Sequence, residues 1–150
     1  MSRIVYNVEK RYKMQLHSSS KYAIRIMSFM ANNNDIILFN AKDISEVLHI
    51  PYKFLTKIMS DLVKANLINS IRGRDGGYKV SRPAEDIAII EIINIYDEFK
   101  HKDECMLGIG KCDGQNICSL HDKWSKPKQL IEEMFENTSL KNLEGGHFKV

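Results

Sequence analysis

The most chemically distinctive residues of this chain are its three cysteines, which all lie in one short segment. They are Cys105, Cys112 and Cys118, and His121 follows the last of them after two intervening residues. Three glycines lie between the first and the third cysteine, so the chain between them can turn tightly and bring the thiols together. Thiolates are soft ligands that select zinc or iron–sulfur clusters. The segment is therefore a candidate metal site.

The spacing of these residues leaves three interpretations open: an iron–sulfur cluster, zinc, or metal-free thiols that respond to oxidants. Structural zinc sites usually include two ligands separated by two to four residues, which only the pair Cys118 and His121 provides. The gaps of six and five residues between successive cysteines favour the wider ligand arrangement of a cluster. His121 is the candidate fourth ligand; the alternative is an ordinary histidine near the start of a helix, beside Trp124.

Length, charge and hydropathy limit the class of protein. The chain has 150 residues, of which 43% are hydrophobic, which suffices for one core with appendages. Residues 1–82 carry 14 basic and 6 acidic side chains, whereas residues 83–150 carry 8 and 13, so we expect a basic N-terminal surface that binds a polyanion. No apolar stretch approaches the roughly 18 residues of a membrane span, and no signal-peptide core is present. We therefore expect a cytoplasmic protein with no membrane partner. Because that compartment is reducing and the number of cysteines is odd, a disulfide framework is not expected.

The pattern of apolar residues predicts three helices and a hairpin in the first half of the chain. Apolar spacings of three and four residues predict helices over 18–31, 41–48 and 51–65. A serine cluster is expected to cap the first helix and Asn40 the second. Alternation on both sides of a glycine-rich turn predicts a two-stranded hairpin over 67–81. The predicted fold class is mainly α with a small β-hairpin wing.

This order of elements is that of a winged helix-turn-helix, in which the helix after the tight turn enters the DNA major groove. The outward positions of that helix carry donors for phosphates and base edges: Tyr52, Lys53, Thr56, Lys57, Ser60 and Lys64. We expect Lys53, Thr56 and Lys57 to face bases. Arg72 and Arg74 are expected to anchor the wing on double-stranded DNA. The alternative is that the lysines are merely solvated, but residues 51–82 hold seven basic and two acidic side chains, which favours binding.

The sequence resembles the iron–sulfur winged-helix regulators of the IscR and NsrR type. The resemblance rests on segments 20–25, 41–45 and 50–55, and above all on 72–78, because arginine-glycine followed by glycine-glycine-tyrosine marks the wing of that family. Cys118-Ser-Leu-His121 followed by Trp124 is similar to the IscR branch. In that branch three cysteines and a histidine hold a [2Fe–2S] cluster.

The resemblance implies a homodimer whose long C-terminal helices cross and which binds a pseudo-palindromic operator. It implies a bound iron–sulfur cluster, [2Fe–2S] rather than [4Fe–4S], that controls operator affinity in response to nitric oxide, redox state or iron–sulfur status. The ligands that it implies are Cys105, Cys112, Cys118 and His121. The first cysteine gap holds six residues where the IscR pattern has five.

Two further positions depart from the family pattern. Lys21 stands where NsrR-type members supply an aspartate ligand from the other subunit, which favours His121 as the fourth ligand here. Thr56 stands where IscR-type proteins often carry glutamate, so their operator preference does not transfer to this chain.

The predicted organisation combines these elements. Its parts are an extension of unknown status at 1–13, a winged helix-turn-helix DNA-binding domain at 14–82, a buried linking helix at 83–101, a cysteine-rich cluster-binding segment at 102–121, a dimerisation helix at 119–138 and a C-terminal tail at 139–150. The predicted function is a homodimeric DNA-binding transcriptional regulator that senses nitric oxide, redox state or iron–sulfur status through a bound iron–sulfur cluster. The alternative is a cluster-free regulator or interaction protein of the same fold that responds through thiol oxidation, zinc or a protein partner. The sequence contains no nucleotide-binding fingerprint and no nucleophile–base pair, so an enzyme is not expected.

Overall fold

The chain folds mainly into α-helices, with one antiparallel hairpin after the third of them. The structure, a computed structural model, describes residues 16–33, 35–96 and 118–143. Within these residues the elements are α1 Ser18–Asn32, α2 Ala41–Val47, α3 Tyr52–Lys64, β1 Ile68–Ile71, β2 Gly77–Val80, α4 Ile89–Ile93 and α5 His121–Glu136. Short 3-10 helices cover Ala84–Asp86, Asn94–Tyr96 and Leu140–Leu143. The predicted fold class is confirmed, while the extension at 1–13 lies outside the described residues.

The caps of the first two helices differ in how well the sequence predicts them. Asn40 caps α2 as predicted, because its side-chain oxygen accepts the Lys42 N–H at 2.8 Å. The predicted serine cap of α1 is wrong, since the serines lie inside its first turn. His17 caps α1 instead, and its Nδ1 accepts the Ser19 N–H at 3.3 Å.

The core forms where α1, α2 and α3 bury their apolar faces against one another. Its fully buried side chains include Ile26, Met27, Met30, Ile44, Leu55, Ile58, Met59 and Leu62. Val47, although apolar and in α2, is 53% exposed. The reason is that α2 has only two turns and packs through Ile44 and the following Leu48.

The hairpin is held to the helical core by a third extended segment. β1 and β2 pair from Ile68 with Val80 to Ile71 with Gly77, and Phe39 pairs with Tyr78 on the other side of β2. A side chain at Gly77 would place its Cβ 2.8 Å from the Phe39 carbonyl oxygen, so glycine is required there. The second glycine of the wing motif therefore serves the attachment of the wing to the core.

The prediction of one continuous linking helix over 83–101 is wrong, because the described part of this range is divided into three short elements. Residues 84–96 form a 3-10 turn, the five-residue helix α4 and a second 3-10 turn, and residues 97–101 lie outside the described part of the chain. The break before α4 arises because Ala88 is extended and pairs with Ser139, while the Ile89 N–H donates to the Thr138 carbonyl at 2.9 Å. The predicted burial holds, since the four isoleucines of α4 are buried.

The segment predicted as a C-terminal tail returns to the domain over residues 139–143. The Leu140 side chain is 0% exposed, and its N–H donates to the Ile87 carbonyl at 2.8 Å. This contact joins the segment that follows α5 to the segment that precedes α4. Leu140 is therefore part of the core and Leu143 packs against it, whereas residues 144–150 lie outside the described residues.

The last helix, α5, runs without interruption through Pro127. Buried side chains are absent from α5 within the described structure, and Leu130 and Met134 are 56% and 53% exposed. None of the described helices has the length and apolar character needed to cross a membrane.

The turn between α2 and α3 stores backbone strain that a single substitution should relieve. His49 has a φ of 50°, a left-handed conformation that costs an L-residue about 1–2 kcal/mol. Glycine adopts this conformation freely but loses about 0.5–1 kcal/mol more conformational entropy on folding. We expect His49→Gly to raise the free energy of unfolding by about 0.5 to 1 kcal/mol in urea titrations.

Asn66, with a φ of 57°, provides the matched control. Asparagine tolerates this region better than histidine does, so Asn66→Gly should give a smaller gain. An equal or larger gain at Asn66 would contradict the assignment of strain to His49.

Candidate functional site

The helix-turn-helix presents α3 with its polar side outward. Pro51 precedes α3 with a φ of −52°, and its carbonyl accepts the N–H groups of Phe54 and Leu55 at 2.9 Å. The apolar stripe of α3 is buried, so the residues on the opposite side face solvent. These exposed residues are Tyr52, Lys53, Lys57, Ser60 and Lys64, and Thr56 lies half-buried beside them.

Hydrogen bonds from side chains fix the angle between α2 and α3. The Ser45 hydroxyl donates to the Ile50 carbonyl at 2.7 Å, and the Ile50 N–H returns a bond to the Ser45 carbonyl at 3.1 Å. Arg25 of α1 donates to the Leu48 carbonyl at 3.1 Å and lies over the Tyr22 ring at 5.6 Å. The orientation of α3 is therefore tied to both other helices of the domain.

The wing places its cations beside α3. Arg72 and Arg74 are exposed on either side of Gly73, which has a φ of 122°. Arg72 lines a groove between α3 and β1 together with Thr56 and Ser60. The structure thus brings three of the predicted DNA-binding residues together across the two elements, while Arg74 lies in the turn of the wing.

The remaining predicted DNA-binding residues of α3 lie on its outer side. The groove also contains three residues that were not predicted from the sequence. Tyr52 begins α3, and Lys53 and Lys57 follow one helical turn apart. The missed residues are Asn66, Asn69 and Ser70, which line the groove. Their signal in the sequence is the run of polar residues around Ile68, but only the tertiary structure shows that they line a groove beside α3.

The charge of this surface is positive. The single carboxylate of α3, Asp61, lies 4.0 Å from the Lys64 ammonium, and Lys64 is largely exposed. Such exposed pairs contribute little to stability. Lys53, Lys57, Arg72 and Arg74 take part in no ion pair within the described residues, so their charges are available to a polyanion.

Two of the four predicted metal ligands lie in the described part of the chain. The His121 N–H donates to the Cys118 carbonyl at 3.0 Å, so a single turn joins the two residues at the start of α5, and both side chains are half-buried. Cys105 and Cys112 lie outside the described residues, among which no group of three metal-ligating side chains occurs. The donor set, thiolate and imidazole one turn apart, fits a cluster or zinc.

Tyr96, the last described residue before the cysteine segment, packs against the core and contacts the residue that caps α1. Its ring stacks on His17 with centroids 6.4 Å apart. Its hydroxyl is buried and forms no hydrogen bond within the described structure. Burial, with the nearby charge of Asp61, raises the pKa of Tyr96 to about 12.

Comparison with known proteins agrees with this geometry. Residues 16–144 match the family Rrf2, described as iron-dependent transcriptional regulator. The chain is 32% identical over 130 residues to the HTH-type transcriptional regulator IscR of Klebsiella pneumoniae, covering 87% of this chain and 79% of that protein. The IscR of Escherichia coli K12 is also 32% identical, with 87% and 80% covered. These relatives are named as regulators, which confirms both the sequence resemblance and the prediction that the chain is not an enzyme.

Solved structures share the fold. The structure titled T. potens IscR matches with a TM-score of 0.69 at 22% identity, covering 87% of this chain and 86% of that one. CymR, titled the global cysteine regulator of B. subtilis, matches with a TM-score of 0.73 at 21% identity, covering 87% and 95%. The oxidized form of Staphylococcus aureus CymR matches with a TM-score of 0.67 at 23% identity, covering 88% and 97%.

The buried Tyr96 hydroxyl predicts a pH dependence of stability. An unfolded phenol ionises near its ordinary pKa of 10.0, whereas Tyr96 in the folded chain ionises only near about 12. The free energy of unfolding should therefore fall as the pH rises from 10 towards 12. Tyr96→Phe removes this contribution, and below pH 10 we expect it to be at least as stable as the wild type, because it removes a buried hydroxyl without a partner.

Urea unfolding of the wild type and Tyr96→Phe across pH 7 to about 11 would measure this difference. Lysine titration affects both proteins alike, so only the divergence between their curves reports on Tyr96. Parallel curves over the whole range would contradict the assignment.

Proposed function

Because this chain belongs to the Rrf2 family of transcriptional regulators, we propose that it is a homodimeric DNA-binding regulator whose operator affinity is controlled by an iron–sulfur cluster. The observation that carries DNA binding is the outer side of α3 and the adjoining wing. Lys53 and Lys57 lie on a helix whose opposite side is buried, Arg72 and Arg74 lie on the adjoining wing, and these four cations form no ion pair within the described residues. Cations in this arrangement suit the phosphate backbone, and the α3 side chains suit base edges in the major groove.

The homodimer is supported by the exposed side of α5. Pro127, Leu130 and Met134 recur at spacings of three and four residues, so they form one apolar stripe along the helix. Phe135 lies on another side of α5 and packs against the domain core. An exposed apolar stripe on a 16-residue helix is expected to bury itself against a partner, and a second copy of α5 supplies the same stripe.

A two-fold dimer presents two copies of α3 to the same face of DNA. Successive major grooves on one face of a duplex lie about 34 Å apart, so each α3 would read one half of a pseudo-palindromic operator. The distance and tilt between the two α3 helices follow from how the α5 helices pack. A change in how the two α5 helices pack would therefore change the affinity for the operator.

The proposed ligands of the cluster are Cys105, Cys112, Cys118 and His121. When bound, a [2Fe–2S] cluster supplies iron–thiolate bonds that oxidants and nitric oxide disrupt. Cys118 and His121 lie at the start of α5, so ligation there would fix where α5 begins relative to the domain. A coupling of about 1 to 3 kcal/mol between this segment and the operator would change affinity roughly 5- to 150-fold.

A cluster-free regulator that senses through thiol oxidation is the second candidate. It is favoured by the similarity of fold to CymR, for which an oxidized form is among the solved structures. The half-buried position of Cys118 leaves part of its side chain accessible to solvent. In this alternative the same segment at the start of α5 would respond to the thiol rather than to a metal.

Purification under nitrogen distinguishes the two candidates. We expect a coloured protein that contains equal amounts of iron and acid-labile sulfide. His121→Ala should shift the visible spectrum or lower the iron content, because one ligand is lost. His49→Gly is the control, since it removes a histidine from the turn between α2 and α3 and should leave the spectrum unchanged. A colourless wild type would favour thiol sensing, and an unchanged spectrum in His121→Ala would remove His121 from the ligand set.

The dimer is tested by a charge on the apolar stripe of α5. Leu130→Asp would bury a carboxylate in the proposed helix–helix contact, so we expect the dimer to dissociate to monomers in light-scattering measurements at micromolar concentration. Ser125→Asp places the same charge on a different side of α5 and should leave the dimer intact. Dimers of both variants, or a monomeric wild type, would refute the role of this stripe.

A further inference from the structure

A groove of about 460 Å³ separates α3 from the strand β1, and the proposed DNA-reading residues account for only part of its lining. We name it the α3–β1 groove. It is lined by Thr56, Ser60, Val63, Asn66, Ile68, Asn69, Ser70, Arg72 and Tyr78. Most of these side chains are polar, and they come from α3, from β1 with the residues that flank it, and from Tyr78 of β2.

The backbone of β1 contributes to this groove as well as its side chains. The N–H and carbonyl of Tyr78 both bond to Phe39, at 2.9 and 2.8 Å, so they point away from β1. In an antiparallel ladder the opposite residue of such a pair also directs its backbone groups away from its partner strand. That residue is Ser70, and its N–H therefore points to the edge of β1 that borders the groove. The Ser81 N–H bond to the Leu67 carbonyl, at 3.0 Å, fits the same register.

The groove is rich in hydrogen-bond donors and lined by no carboxylate. The Thr56 hydroxyl already donates to the Lys53 carbonyl at 3.0 Å. The remaining donors are the Ser60 and Ser70 hydroxyls, the Ser70 N–H, the Asn66 and Asn69 amides and the Arg72 guanidinium. One fixed cation among neutral donors is the composition that protein surfaces use to hold phosphate oxygens.

We propose that the α3–β1 groove binds a phosphodiester of the operator backbone, held by the Ser60 hydroxyl, the Ser70 N–H and the Asn69 amide, with Arg72 supplying the charge. This assignment rests on the proposed DNA binding and adds a site to it. It makes the outer edge of β1 a positioning surface, which fixes how far α3 enters the adjacent major groove.

The surroundings of the groove favour a nucleic acid over an extended peptide that would pair with the edge of β1. Lys53, Lys57 and Lys64 lie on the exposed side of α3, next to Ser60, and continue the positive surface beyond the groove. β1 has only four residues, so it offers a peptide few ladder bonds. A polyanion gains from both the neutral donors and the flanking cations.

The test uses the full-length protein and two duplexes: one that the wild type selects from a random-sequence library, and a scrambled duplex of equal length. A neutral phosphate contact carries no sequence information and releases no counterion. Ser60→Ala and Asn69→Ala should therefore each lose about 3- to 10-fold in affinity on both duplexes, with an unchanged salt slope. Arg72→Ala should lower the salt slope by about one, as should Arg74→Ala in the wing turn.

Asn69→Asp tests the sign of the charge in the groove at nearly constant shape. It should weaken DNA binding more than tenfold relative to the wild type, roughly the effect of a carboxylate beside a phosphate. The difference from the wild type should be larger at low salt, because the repulsion is screened less there. Asn32→Asp makes the same change at an exposed position at the end of α1 and should bind like the wild type. Circular dichroism of each variant checks that the fold is retained.

The outcomes separate this assignment from the proposed function. If the wild type binds neither duplex, DNA binding itself fails. If the wild type binds and Asn69→Asp binds equally well, only the groove assignment fails. If Asn69→Ala or Ser60→Ala lost affinity for the selected duplex alone, the groove assignment would be overturned, because the residue would then contact bases rather than a phosphate. Capture of an extended peptide that Asn69→Asp leaves intact would overturn it in favour of strand addition to β1.

Discussion

The burial of one side of α3 is the constraint on which the rest of this structure depends. Leu55, Ile58, Met59 and Leu62 recur at three- and four-residue spacing and enter the core, so rotation of α3 about its axis would expose apolar surface. Only one side of α3 can then face outward, and that side carries its lysines and hydroxyls. Chemistry on the surface is thus fixed by packing beneath it.

The wing depends on the same core through backbone geometry. Phe39 is buried and forms the backbone pair with Tyr78 that holds β2. This pair requires Gly77, and it leaves the backbone groups of Ser70, the residue opposite Tyr78, directed away from β2. The attachment that stabilises the hairpin therefore also creates the edge that borders the α3–β1 groove. A structural glycine and a proposed binding surface follow from one close contact.

A different constraint acts on α5. Its own domain buries none of its side chains fully, so part of its apolar surface stays exposed to solvent. Leu140 and the isoleucines of α4 close the core at the end of α5, while its stripe through Leu130 faces outward. The proposed ligands Cys118 and His121 lie at the opposite end of the same helix. The helix α5 is thus anchored at its C-terminal end, exposed along one side, and adjoined by Cys118 at its N-terminal end. This arrangement suits it to transmit a change at the cysteine segment to a dimer partner.

Periodicity in the sequence determined the three helices, the hairpin and the outward residues of α3, because these depend on neighbours within a few positions. The glycine-glycine-tyrosine of the wing and the cysteine spacing likewise identified the family. Only the tertiary structure decided that His17 caps α1, that Ala88 breaks the helix before α4, and that Leu140 returns to the core. It alone placed Asn69 and Ser70 in the lining of one groove with Ser60. Each of these rests on contacts between residues distant in the chain or on the direction of a backbone group, and no local pattern of residue types encodes either.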